Sequence, residues 1–297
     1  MSGTESSGTM GRLAEAAEAI GATSSKLAKV RILATYLASL DGARVPMAAR
    51  YFAGRTFPSG DPRVLNVGGS VLSGVLRDIA GLNDQQLAAL WRRHRDAGDC
   101  VHEVLSARAA RMCGAADRTG AETPLTDGGE CRGTVTEGGE PPGAGIDLIE
   151  VDTVFAEIAG TAAASARRSA LVGTLARCTP LEGKYIVKLI TGEMRIGLRE
   201  GLVEEAIGAA FDREATAVAR ADMLVGDLGR VALLAMEDRL DKAAPQLFSP
   251  LRYMLASPVA DAEEAVHRVG ETAWIEDKYD GIRCQLHRGG DRIALYS

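Results

Sequence analysis

The stretch EDKYDGIR, Glu276 to Arg283, places a lysine, a carboxylate and an arginine within a few residues of a tight turn. A lysine amine is a nucleophile only when it carries its lone pair. A free lysine titrates near about 10.4, so a site using Lys278 must remove water from it or set positive charge beside it. Arg283 and a divalent cation could do so. The residues on either side alternate between apolar and polar. Trp274, Glu276 and Lys278 would share one face of a strand, with Glu276 about 6.6 Å from the lysine for two residues of rise. Asp280-Gly281 reads as the turn that presents Lys278. The plainer alternative is a surface lysine on a hairpin.

A second stretch suits anions. In KLITGEMRIGLREGLVEEAIGAAF, Gly192 ends one helix, Arg195 lies in a short connection, Gly197 permits close approach of a backbone, and a new helix follows. The first amides of that helix lack intrahelical partners and carry a partial positive charge. With Arg195 they favour a phosphate oxygen without reading any base. Lys184 and Lys188 lie one turn apart on the preceding helix, whereas Glu193, Glu200, Glu204 and Glu205 oppose an argument from charge. A simple connection between two helices remains the alternative.

The elements that must position these residues are mostly helices. Leu27, Val30, Leu33, Leu37 and Leu40 recur at spacings of three and four, with Thr23 or Ser24 as a cap and Asp41-Gly42 as a stop. Further helices are expected over 46–53, 70–80, 84–96 and 99–111, with Gly54 and Gly81 in left-handed terminating positions and Asp84 as a cap. Helices this short need one another's apolar faces, which predicts a multi-helix bundle or superhelix. Residues 114–145 are rich in Gly and Pro, contain no aromatic residue and carry more acids than bases, so they are expected to be a disordered insertion. Periodicity then resumes, with Pro180 in a first-turn position. Residues 21–243 thus read as one helical domain after a flexible 1–20. The proline-bearing APQLFSPLRYMLASPV reads as a junction to a second unit, 244–297. There a helix is expected from Asp261 to Val269, then strands, with Gly289-Gly290 closing a hairpin into RIALYS.

Composition excludes several classes. With 297 residues, 46% hydrophobic and 25% charged, the chain can bury a core, and no apolar run has membrane-spanning length. No secretory signal opens it, which points to the cytoplasm. Cys100, Cys113, Cys131, Cys178 and Cys284 lack the paired spacings of a metal site or a disulfide framework, so reduced thiols are expected and no metal ligands are assigned. A net charge of −6 argues against coating nucleic acid by bulk charge.

EDKYDGIR resembles the nucleotidyltransferase motif of ATP-dependent DNA ligases and lies where their adenylation domain begins. LITGEMRIGLREGLVEEAI is similar to a stretch of that family's all-helical DNA-binding domain, VPMAARYFAGRTFP resembles its early helices, and SPLRYMLASPV resembles the entry to the catalytic core. The likeness leaves out the first twenty residues and the 114–145 segment. It implies a mainly α chain, a helical DNA-binding domain followed by the first strands of an α+β adenylation domain. It also implies the activity. Lys278 would attack the α-phosphate of ATP, release pyrophosphate and carry AMP. AMP would pass to the 5′-phosphate at a nick in double-stranded DNA, and the 3′-hydroxyl would displace it, in replication, recombination and repair. Mg2+ would offset the phosphate charge. Glu276 matches the position that contacts adenine and Arg283 the one that contacts ribose. Gly192, Arg195 and Gly197 fall in the DNA-contacting stretch. Asp280 and Gly281 match the turn, and Cys284 and His287 match no functional position. A monomer is expected.

The family's later motifs are missing from these residues: the metal-holding carboxylates, the aromatic that stacks on adenine, the late lysines and the terminal barrel. The chain is therefore expected to be an inactive fragment of such a ligase. A non-catalytic DNA-binding module keeping a relic of the site is the alternative, and an RNA ligase a third.

Overall fold

The computed structural model of the chain describes residues 7–94, 96–116, 145–252, 257–270, 272–277 and 279–297. Its order begins with α1 (Met10–Gly21), α2 (Lys26–Ala38), α3 (Val45–Phe52), α4 (Gly69–Ala80), α5 (Asp84–Arg93) and α6 (Ala97–Ala116). After the 117–144 segment follow α7 (Leu148–Gly160), α8 (Ala164–Leu175), α9 (Pro180–Thr191), α10 (Glu200–Phe211), α11 (Ala215–Val225) and α12 (Leu228–Met236). A single 3-10 turn, Leu240–Lys242, leads to α13 (Ala262–Val269) and to the antiparallel pair β1 (Gln285–Gly289) and β2 (Arg292–Tyr296).

Residues 10–20 are not the flexible lead that their small, polar character suggests. Met10, Leu13, Ala14, Ala17 and Ile20 are fully buried on one face of α1. Thr9 caps the helix by accepting the Arg12 amide at 3.4 Å and forms an isolated bridge with Asp147. Alanines and one methionine look bland in sequence, yet at spacings of three and four they let helices approach closely. The Met10 amide donates to the Ile146 carbonyl at 2.7 Å and the Leu148 amide to Gly8 at 3.1 Å, so the chain after the 117–144 segment is bound to its beginning. One hydrophobic core draws on α1 through α12. The expected insertion falls outside the described residues except at its ends, where α6 runs on to Ala116.

Local chemistry sets most helix ends, with small displacements. Ser25, rather than Thr23 or Ser24, caps α2 by accepting the Ala28 amide at 3.3 Å. Asn83, rather than Asp84, caps α5 and forms a reciprocal box with Gln86. Gly54 and Gly81 take positive φ of 74° and 65° as expected, the second as the C-cap of α4. Thr179, Pro180 and Glu182 open α9 as a capping box with proline in its first turn. The buried face of α2 differs from its leucine spacing. Leu27 is 80% exposed, while Lys29 and Tyr36 are buried.

The period-two reading of 273–278 and 282–284 does not become strands among the described residues; the only sheet there is β1–β2. An isolated strand leaves every amide and carbonyl unpaired, and no neighbouring strand is present among these residues to accept them. The hairpin turn is Gly290-Asp291, one residue beyond Gly289-Gly290, with Gly290 at φ +59° and Gly289 paired to Arg292. Glycine at the first central position suits the twist of a two-residue hairpin.

Candidate functional site

The connection between α9 and α10 is held from below. Met194 and Ile196 are buried anchors. Between them Arg195 takes φ +51°, and Gly197 follows at φ +64°. Lys29 donates from beneath to the carbonyls of Ile196 at 2.6 Å and Gly197 at 3.0 Å. A Cβ at Gly197 would lie 2.7 Å from Lys29 Nζ, so glycine serves both the backbone angle and the close approach. Gly192 caps α9 at φ +70°, and no side chain caps the start of α10. The structure thus brings Gly192, Arg195, Gly197 and a helix start into one loop.

The two lysines of α9 do not join that loop. Lys188 is 5% exposed and pairs with Asp96 at 2.5 Å. Asp96 also accepts the amides of Gly98 at 2.7 Å and Asp99 at 3.3 Å at the start of α6. Against the desolvation that burial imposes, the Lys188 ammonium and these amides hold the Asp96 carboxyl below its ordinary range. Lys184 pairs with Glu18 at 2.6 Å and with Asp99 at 3.3 Å, and the Tyr185 hydroxyl also donates to Glu18. Arg195 is half-exposed. Its guanidinium pairs with Glu193 and reaches within 3.9 Å of Asp96.

Lys278 lies outside the described residues. Glu276 and Arg283 flank it in irregular, exposed chain, and Trp274 is 98% exposed. The described residues therefore do not assemble Glu276 and Arg283 into an enclosed pocket, and no cluster of three or more His, Cys, Asp or Glu among them could hold a metal. Gly281 forms a bend. Cys284 precedes β1 and is exposed. His287 is more than an ordinary strand residue: its Nδ1 accepts the Phe248 amide at 2.8 Å and its ring meets Tyr296 edge-on at 5.0 Å.

A group that sequence reasoning missed lies between the helices and the hairpin. Arg252 pairs bidentately with Glu200, at the first position of α10, and its Nε lies 3.1 Å from Asp222 of α11. Arg55 also donates to Glu200, at 3.1 and 3.2 Å. The one available signal was an arginine inside the proline-bearing junction. Asp222 is 2% exposed, and its carboxyl lies in hydrogen-bonding contact with that of Glu204. Burial, reinforced by Glu204 and Glu200 and opposed by Arg252, pushes its carboxyl up to about 7, and burial raises Glu204 as well. A carboxyl raised on folding contributes stability below the unfolded pKa and loses it as pH climbs through the folded one. The expected result is that Asp222→Asn, which needs no proton, removes a loss of stability between about pH 4 and pH 7, at up to about 1.4 kcal/mol per pH unit. Urea unfolding of both proteins across that range checks this; parallel curves would contradict it.

No helix among the described residues is long and apolar enough to cross a membrane. Residues 9–208 match the family described as DNA ligase N terminus, and residues 253–297 match the ATP dependent DNA ligase domain. The chain is 39% identical over 285 residues to a probable DNA ligase of Koribacter versatilis, covering 96% of this chain and 44% of that protein. It is 35% identical over 326 residues to a probable DNA ligase of Opitutus terrae, covering 96% and 32%, and 32% identical over 288 residues to a DNA ligase of Methanopyrus kandleri, covering 96% and 47%. It spans a third to a half of the length of these relatives.

Proposed function

Because the chain belongs to the ATP-dependent DNA ligase family, we propose that its residues serve the sealing of nicks in double-stranded DNA through a lysyl-AMP intermediate. The observation that carries this reading is the order of the two matches, with EDKYDGIR inside the second and the Gly192–Gly197 loop inside the first. Lys278 Nζ, having lost its proton, attacks the α-phosphorus of ATP. An N–P bond forms, the P–O bond to pyrophosphate breaks, and pyrophosphate leaves with the electron pair. A 5′-phosphate oxygen then takes the AMP and frees the lysine, and the 3′-hydroxyl displaces AMP to join the strand. Glu276 receives the adenine and Arg283 the ribose. Magnesium would accompany the triphosphate and offset its charge.

The work of this enzyme is assigned to replication, recombination and repair in the cytoplasm, as a monomer. The 297 residues alone are proposed not to complete the transfer, since exposed Glu276 and Arg283 leave a nucleotide unenclosed, and ligand sites bury most of their ligand. Incubating an active enzyme containing these residues with labelled ATP, magnesium and a nicked duplex tests the function. A denaturation-resistant adduct and a joined strand are expected, whereas duplex binding with neither would favour a non-catalytic module.

The Gly192–Gly197 loop is assigned to the DNA backbone. Arg195→Ala is expected to weaken binding to nicked duplexes of any sequence and to lower the salt slope by about one counterion. A salt titration of affinity checks this; an unchanged slope would leave the loop as a plain connection.

A further inference from the structure

We propose that Arg252 is a positioning residue that clamps the junction onto the helical bundle, so that the DNA-contact loop and the nucleotide-binding segment are held in fixed relation. This inference rests on the ligase reading for its consequence and on geometry for its existence. The junction is built into the bundle by its backbone as well as by its charges. The Arg252 amide donates to the Met223 carbonyl at 3.1 Å, and the Ser249 hydroxyl donates to the Val225 carbonyl at 2.8 Å. Two glycines make room for it. A Cβ at Gly226, itself at φ +72°, would lie 2.3 Å from the Pro250 carbonyl oxygen, and one at Gly60, at φ +82°, would lie 2.4 Å from that of Phe248. Backbone cannot yield as a flexible side chain can, so both positions require glycine while the junction stays seated.

On its other side the junction carries the hairpin. Gln285 pairs with Leu251 through both ends of its amide, accepting at 2.8 Å and donating at 2.6 Å, much as a neighbouring strand would. His287 accepts the Phe248 amide, the Tyr296 hydroxyl donates to the Phe248 carbonyl at 2.9 Å, and the Arg292 guanidinium lies 3.8 Å from the Phe248 ring centroid. The chain of contacts therefore runs from Glu200, which opens the helix after Gly197, through Arg252 and Leu251 to Gln285, which follows Arg283. A planar guanidinium suits the central place, because it can meet Glu200 with two nitrogens and Asp222 with a third.

The clamp is tested first in the 297-residue chain by hydrogen exchange. Arg252→Ala is expected to lower protection of the Phe248 and Leu251 amides at least about tenfold, while amides within α2 and α9 keep theirs. Arg252→Lys, a point charge unable to serve both carboxylates, is expected to fall between. Unchanged protection at Phe248 and Leu251 in the alanine variant would overturn the clamp. Its consequence is tested in an active ligase containing these residues. Adduct formation, which needs no DNA, should stay within about twofold of wild type, and sealing by the pre-adenylated enzyme should fall about tenfold. An equal loss in both steps would mark general destabilisation and overturn the positioning role, as would undiminished sealing. A wild-type enzyme that forms no adduct would instead remove the ligase reading and the coupling with it, leaving the exchange result to decide the clamp alone.

Discussion

Replacing Lys278 by alanine in an active enzyme containing these residues is expected to abolish the covalent AMP adduct, with sealing falling to background. The N–P bond requires an amine lone pair, and alanine offers none. An arginine at that position would remain protonated at any working pH and should fail too. Four of the other five lysines are already engaged. Lys184 and Lys188 are committed to carboxylates, Lys29 is spent on two backbone carbonyls, and Lys242 lies beside Asp241. Peptide mapping of wild-type adduct by mass spectrometry checks the assignment, which would not survive AMP found on Lys184 or Lys188. Pre-adenylated DNA gives the complementary readout. The last step needs no lysine nucleophile, so the variant should keep part of its sealing on that substrate while losing the reaction that starts from ATP.

The second large effect concerns the bundle. Lys188→Met is expected to destabilise the helical domain by about 3–5 kcal/mol, because it leaves the Asp96 carboxylate buried with two amides and only the half-exposed Arg195 guanidinium, 3.9 Å away, as counter-charge. The pair joins α9 to the start of α6, two helices that pack extensively on each other. Removing both charges, as in Lys188→Met with Asp96→Asn, should recover much of the loss, since asparagine needs no counter-ion and can still accept the Gly98 amide. Urea unfolding of the wild type, the single variant and the double variant checks this. A single-variant cost below about 1 kcal/mol would mean that solvent reaches Asp96 and the pair is not the buried one described. The wild-type contribution of Asp96 should also disappear in acid. Its carboxyl is held below the ordinary range, so the stability it supplies is present above the unfolded carboxylate pKa and is lost as pH falls through the folded one.

The paired lysines change how the proposed DNA contact at the loop is to be understood. By sequence, Lys184 and Lys188 stand on the helix that leads into Gly192 and could be counted toward a basic surface. In the structure both charges are neutralised by acids from α1 and from the chain at the start of α6. What faces an anion at that loop is Arg195, with its own partner Glu193, together with backbone amides. Under the proposed contact such a surface would grip through a few oriented dipoles, which agrees with a chain whose net charge is −6.

The sequence by itself determined whatever depends on neighbours a few residues away. Thr179, Pro180 and Glu182 specify the start of α9, Gly81 the left-handed end of α4 and Gly192 that of α9, and Asp261 the cap of α13, because each of these choices is made by hydrogen bonds within one turn. The eight residues from Glu276 to Arg283 likewise carried the resemblance on which the proposed chemistry rests, since the motif is a local pattern and needs no fold to be read. Tertiary structure decided the rest. That α1 is buried rather than flexible follows from alanine faces whose value appears only when other helices lie against them. That 273–277 are not a strand follows from the lack of a partner for their backbone among the described residues. Whether Lys29, Lys188 and Arg252 would be surface charges or internal struts depended on carbonyls and carboxylates thirty or more residues away in sequence, and a charge's role is set by what lies within a few ångströms of it, a distance that spacing along the chain does not encode.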